Sequence, residues 1–396
     1  MKPSDRRIGA RKIFWHVSCL NLLRPSSPED RNLRQVEFGI FMPIASNGFI
    51  FSKRAPHYQP TFELHRQIAV LAEAIGLDYL FWMGKWKGFG GPTHHWEQSL
   101  EPITLSSAIA AATQRLRIYA TINPLVLHPT VASKMVATID DVSGGRFGIN
   151  IVTGNTLDEY EQMGIVPEGY NQDRYAYADE WTTIIKELWT KDKVTFKGRF
   201  FDLNECVSNP KPRQKPYPKI VSAGSSDEGL RFGAKHSDYA FIGLRPAEIA
   251  QTRKFAAEYG RSIKIASNFF LLIRSSDAEA EKELRLLREE LDHEALSNLI
   301  TSTERDMRDK KRTDYLRAPN VIGFGSGTPL AGSPETIARK LAQIIGESGV
   351  DALQFTFLDF VKDLEVFGSE VAPLLKELLR QQGVYISAGQ ETATAA

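Results

Sequence analysis

Eight short apolar runs, each followed by a stretch with helical spacing, leave this chain very few folds to adopt. The runs are Val36 to Ile44, Leu77 to Met83, Leu116 to Thr121, Phe147 to Val152, Lys219 to Ala223, Tyr239 to Ile242, Ile265 to Ile273 and Ala352 to Phe357. Each has the length and the β-branched or aromatic content of a buried strand. Between them, Thr61 can cap a helix carrying Ile68, Leu71, Ala72 and Ile75, which Gly76 ends. Further helices are predicted at Leu100 to Ala112, at Pro129 to Ser143 with a stripe of Val131, Met135, Ile139 and Val142, at Arg174 to Trp189, and at Pro246 to Tyr259. Ser333-Pro334-Glu335 caps another, and Leu364 to Leu379 closes the series. Parallel strands need crossovers of about a dozen residues or more, and eight of them close into a ring. The spacing therefore predicts an α/β fold, a (β/α)8 TIM barrel with insertions. A doubly wound open sheet is the alternative, but no Gly-x-Gly-x-x-Gly follows any run.

One domain is expected over residues 36–382. Lys193 to Leu203 reads as an appended β-hairpin, and residues 277–332 depart from the rhythm as an excursion over one end of the barrel. Within it, one charged helix from Ala278 to Leu299 is predicted to pass into a mobile stretch ending near Pro319. The tail, residues 383–396, is expected to be disordered. Residues 1–35 carry eight Lys or Arg against three acids, a net +5 that leaves −4 for the rest of a chain whose total is +1. A basic, poorly ordered extension is the preferred reading there over a transit peptide.

The balanced charge of the body gives no field that would draw it to nucleic acid or to a membrane, and no run reaches the roughly 18 apolar residues of a membrane helix. Cys19 and Cys206 are the only cysteines, which excludes a disulfide framework and suits a reducing cytoplasm. The eight histidines show no metal-ligand spacing, so no metal is expected, and no Gly-x-Ser-x-Gly elbow is present.

Against that background the polar residues inside apolar runs stand out. Thr121 ends one strand and Asn150 interrupts another, and a polar group in a doubly buried strand either has a partner or lines a cavity. Ala223-Gly224-Ser225-Ser226 opens a helix and suits an anion, with a plain serine cap as the bland alternative. Arg174 and Tyr175 could serve a phosphate, although Arg174 could instead pair with Asp173 or Asp179 on the surface. Gly84 to Pro92 is a glycine-rich loop without the Gly-Lys-Ser/Thr ending of a P-loop, and Trp82, Trp86, Phe89 and Trp96 around it suit a flat ligand.

Several stretches match a known family: Phe-Glu-Leu at 62–64, Lys-Gly-Phe-Gly-Gly at 87–91, Ile-Tyr-Ala-Thr at 118–121, Ala-Thr-Ile-Asp at 137–140, Ser-Gly-Gly-Arg-Phe-Gly from Ser143 through Val-Thr-Gly, and Glu-Tyr-Glu-Gln-Met-Gly-Ile at 159–165. From Val36 to the closing helix the chain resembles the luciferase-like flavin monooxygenases, and among them most the uracil-degrading pyrimidine monooxygenases. The resemblance implies a barrel that binds reduced FMN (FMNH2) and uses O2, with NAD(P)H consumed only by a separate partner flavin reductase. A homo-oligomer acting on a small-molecule substrate is expected. Carried over residue by residue, FMN contacts fall at Gly84, Lys85, Asn150, Glu159, Arg174, Tyr175 and Ser226. Thr121 and Asn150 take the catalytic positions where oxygen meets the flavin and a flavin peroxide forms.

The substrate pocket is expected around Phe81, Trp82, Met83 and Asn155. Here the chain departs from the uracil enzymes, which have Trp then Gln where Asn155 and Thr156 stand, and usually Leu and Ser at the positions of Phe81 and Trp82. The implied activity is oxygenation of a flat nitrogen heterocycle. Sulfones, alkanesulfonates or chlorinated rings are the alternative substrates, and a non-catalytic flavin-binding protein is the alternative of a different class.

Overall fold

The computed structural model describes residues 33–154, 156–306, 310–318, 321–323 and 329–386. Eight strands, β1 (Arg34–Phe41), β2 (Tyr79–Trp82), β3 (Arg117–Ile122), β4 (Phe147–Ile151), β5 (Lys219–Ser222), β6 (Tyr239–Phe241), β7 (Lys264–Ile273) and β8 (Ala352–Phe357), pair in parallel with their neighbours. β8 then pairs with β1, so the sheet closes into the expected barrel. Helices cover its outside, and the caps form where the residues allow them. Thr61 accepts from the Leu64 N–H at 3.2 Å to start the helix Phe62–Ile75, and Gly76 ends it at φ 96.

Aromatic rings fill the amino half of the lumen. A Cβ on Gly39 would lie 2.5 Å from the Tyr79 ring, and one on Gly148 would lie 2.5 Å from the Tyr119 ring. Each glycine sits beside its tyrosine in register, so the missing side chain on one strand makes room for the ring of the next. Below these rings Glu37 accepts from Tyr239 at 2.9 Å and pairs with Arg117 and Lys264, each at 2.9 Å. Although burial alone would raise it, these two cations hold the Glu37 carboxyl below its ordinary range.

Arg146, from the Ser-Gly-Gly-Arg-Phe-Gly stretch, ties the amino end of the sheet to its helices. Its guanidinium donates to the carbonyls of Ser143 at 2.7 Å, Leu116 at 2.6 Å, Ala110 at 2.9 Å and Thr113 at 2.9 Å, and to the Thr113 hydroxyl at 3.2 Å.

Three elements differ from the sequence expectation. The excursion holds two helices, Asp277–Glu289 and His293–Asp306, because Asp292 breaks the first run and caps the second, accepting from the Ala295 N–H at 3.0 Å. A short strand, Leu330–Gly332, then returns beside the end of β7. The expected disordered tail is ordered at its start, since Val384–Ile386 pairs in parallel with residues 34–36 at the head of β1, where three apolar side chains become buried. Most of the basic extension and residues 387–396 lie outside the described residues. No described helix is long and apolar enough to cross a membrane.

Candidate active site at the carboxyl end of the barrel

β3 and β4 bring Thr121 and Asn150 side by side in register. Asn150 Nδ2 donates to Thr121 Oγ1 at 2.9 Å, and Thr121 Oγ1 donates to the Trp82 carbonyl at 2.7 Å. The threonine proton is thus committed to β2. Asn150 Oδ1 has no partner among the described residues, although the side chain is only 3% exposed. Leaving a buried acceptor open costs about 1–3 kcal/mol, a cost that a site for a polar ligand explains. Neither group titrates near neutral pH, so the open Oδ1 can accept from an N–H or O–H of a bound group and orient it without a net proton transfer.

The glycine-rich loop is held over this end by one carboxylate. Glu159, on the short helix Asp158–Glu161 after β4, pairs with Lys85, accepts from the Trp86 N–H at 2.8 Å and accepts a hydrogen bond from the Thr156 hydroxyl. Lys85 Nζ lies 4.2 Å from the centre of the Phe89 ring. Burial pushes the Lys85 ammonium below its ordinary range, and Glu159 only partly offsets this. The helix His293–Asp306 braces both parts from outside. Asn298 donates to the Phe89 carbonyl at 2.8 Å, Ser302 to Asp158 at 2.6 Å, and Arg305 pairs with Glu161 at 2.9 Å.

On the opposite rim, Ser226 caps the helix Asp227–His236, accepting from the Gly229 N–H at 3.0 Å, and lies 3.4 Å from the Tyr175 hydroxyl. The serine-cap reading is therefore correct. A Cβ on Gly224 would lie 2.8 Å from the Tyr175 oxygen, and one on Gly229 would lie 2.6 Å from it. The two glycines let their backbones pack against each other and against the Tyr175 hydroxyl, which sets that hydroxyl beside Ser226 at the helix N-terminus, a place where backbone N–H groups suit an anion. Arg174 makes neither surface pair. Asp173 pairs with Arg199 at 2.6 Å and Asp179 with Lys235 at 2.6 Å, while Arg174 Nη1 donates to the Gly154 carbonyl at 2.9 Å. That bond aligns Arg174 with the loop after β4 and, among the described residues, leaves four of its five N–H groups for other acceptors.

The structure brings Gly84, Thr121 and Asn150 together, since Gly84 lies against Thr121, and it joins Arg174, Tyr175 and Ser226 at the rim. Lys85 and Glu159, expected as separate cofactor contacts, bind each other. Phe81 lines the lumen, its ring 5.4 Å from Phe41 and 5.7 Å from Phe241. Met83 follows the end of β2 and packs half-buried against the core. Trp82 does not belong to the pocket: alternation turns it outward, fully buried, with its ring 6.4 Å from His65 of the flanking helix. Asn155 lies outside the described residues.

Two residues escaped the sequence reading. Thr156 was visible only as a departure from the family pattern, yet it bonds Glu159. His95 stacks on Phe51 at 3.8 Å with both ring nitrogens unpartnered among the described residues, and burial pushes its imidazole down to about 3. No cluster of three His, Cys, Asp or Glu that could hold a metal occurs among the described residues.

A family model described as luciferase-like monooxygenase matches residues 36–352. The pyrimidine monooxygenase RutA of Caulobacter vibrioides is 37% identical over 353 residues, covering 86% of this chain and 99% of the relative. The protein of the same name from Escherichia coli K12 is 36% identical over 359 residues, covering 88% and 93%. Among solved structures, a riboflavin lyase with modified FMN and riboflavin superposes with a TM-score of 0.78 at 21% identity, covering 90% of this chain and 94% of that one, a likeness in fold. Given the match over most of its length, this chain belongs to the luciferase-like monooxygenases.

Proposed function

We propose that the chain is a two-component oxygenase that receives reduced FMN from a separate flavin reductase and uses O2 to oxygenate a flat nitrogen heterocycle, a pyrimidine or related cyclic amide. Reduced FMN, when bound, supplies the two electrons that let O2 give one atom to the substrate and the other to water. Ser226, Tyr175, Arg174 and the helix N-terminus that follows Ser226 hold its phosphate. The Lys85–Glu159 pair fixes the glycine-rich loop at the mouth, and the bracing helix keeps water out. Phe41, Phe81 and Phe241 give flat apolar faces for a planar ring.

The observation that carries this reading is the relay from Asn150 through Thr121 to the Trp82 carbonyl, which leaves Asn150 Oδ1 as an open acceptor at the carboxyl end of a barrel whose relatives are named pyrimidine monooxygenases. A protein that only stored flavin would have no use for such a group. The test combines the chain with a flavin reductase, NADH, FMN and uracil under labelled O2, with mass spectrometry of the products. Uptake of one labelled atom into an opened or oxidised ring supports the reading. Peroxide release with every pyrimidine untouched overturns the substrate class.

A further inference from the structure

Across the lumen from Thr121 and Asn150 lies a second polar wall that the reaction above leaves unused. Asn268 of β7 and Gln354 of β8 are direct neighbours in register. Gln354 lines the internal cavity together with Phe81 and Phe241, and so does Ala266. Side chains two apart on a strand share a face, so Asn268 follows Ala266 into the lumen and Thr356 follows Gln354. All three are buried, with exposures of 6% for Asn268, 1% for Gln354 and 0% for Thr356. Asn268 Nδ2, Gln354 Nε2 and Thr356 Oγ1 have no hydrogen-bond partner among the described residues, although two of them sit side by side and could have paired.

The chemistry of the wall restricts what it can meet. Two amide donors and one hydroxyl ask for acceptors, so an alkane would leave the donors unsatisfied. An anion such as a sulfonate calls for a cation, and Lys264, the lysine of β7, is occupied with Glu37 at the far end. A neutral carbonyl on a flat ring satisfies the donors without a charge. We propose that Asn268, Gln354 and Thr356 form the edge that reads the carbonyl oxygens of a cyclic amide or imide. Two molecules of the proposed reaction carry that edge, the pyrimidine substrate and the pyrimidine portion of the flavin. The inference rests on the functional reading above only in requiring such a heterocycle to enter the lumen.

Asn268→Leu and Gln354→Met keep volume and remove the donors. Because those donors bond nothing in the protein, the melting temperature should hold or rise, whereas a structural hydrogen bond would show as a fall. FMN affinity is measured by fluorescence titration, and uracil and 4-thiouracil affinities are measured on the complex with reduced FMN under anaerobic conditions. A loss of about tenfold or more confined to uracil, together with loss of discrimination against the thio analogue, assigns the wall to the substrate. The same loss confined to FMN assigns it to the flavin ring. Affinities within twofold for both overturn the proposal, as does a lowered melting temperature with unchanged affinities. If the parent protein binds no pyrimidine, the functional reading fails separately, and the FMN arm alone then decides the wall.

Discussion

The two ends of the barrel treat buried polarity in opposite ways. At the amino end Glu37 is answered by Arg117, Lys264 and Tyr239, and Arg146 by four carbonyls and a hydroxyl. The Tyr79 and Tyr119 hydroxyls there lack protein partners, but the cavity they line, of ≈ 20 Å³, has room for about one water. Toward the carboxyl end Asn150, Asn268 and Thr356 keep hydrogen-bonding atoms that are open among the described residues, and Gln354, which lines the same cavity as the tyrosines, keeps its Nε2 open at the level between the two ends. Satisfied polarity pins strands to helices, while unsatisfied polarity is a cost tolerated where a ligand removes it.

That contrast can be broken by substitution. Arg146→Leu strips donors from four buried carbonyls, and a destabilisation of about 3 kcal/mol or more is expected in urea unfolding, with FMN affinity of the folded fraction unchanged. A matching loss of flavin affinity would mean that the amino end also shapes the mouth. Asn150→Ala should do the reverse, lowering coupled oxygenation about 100-fold while FMN affinity stays within about threefold and stability is retained. If affinity and turnover drop together, Asn150 is a simple cofactor contact.

His95 sharpens the comparison by pH. Its folded value is depressed to about 3 from 6.5, so it contributes stability above pH 6.5 that is lost as pH falls toward about 3, the unfolded chain taking up the proton first. His95→Phe keeps the stack on Phe51 and removes that proton. Between pH 7 and pH 5 the parent should lose about 2 kcal/mol more than the variant, and parallel curves would show that the imidazole is hydrated after all. The smallest expected effect is at the rim. Gly224→Ala places a Cβ against Tyr175 and should weaken FMN about tenfold while leaving riboflavin affinity unchanged, because only FMN carries the phosphate. Equal weakening of both would place the phosphate elsewhere.

Much of this architecture is legible in the sequence because it is periodic and local. The last barrel strand and the helix Pro129–Ser143 have the bounds that the apolar spacing predicts, and Thr61, Gly76 and Ser226 cap as their residue types require. Thr121 and Asn150 are visible as polar interruptions. The same signal marks Asn268 and Gln354, which lie in runs that are otherwise nearly all apolar, yet attention to a single stretch around β4 leaves them unweighed. Trp82 misleads because residue type suggests a pocket, while two-residue alternation assigns its neighbour Phe81. The Lys85–Glu159 pair is not legible at all. The two residues are 74 positions apart, and nothing local says that a lysine and a glutamate from different loops meet.

The strand Val384–Ile386 beside the head of β1 has a consequence for how the molecule comes into being. β1, the first of the described strands, pairs with β8 and with this late segment, so its hydrogen bonds join residue 37 to residue 352 and residue 34 to residue 384. Contacts of such long separation make folding slow and leave an edge exposed while synthesis proceeds. The ring can be sealed only once β8 has been made, so birth of this protein includes a waiting period that a chain cut before residue 352 never completes.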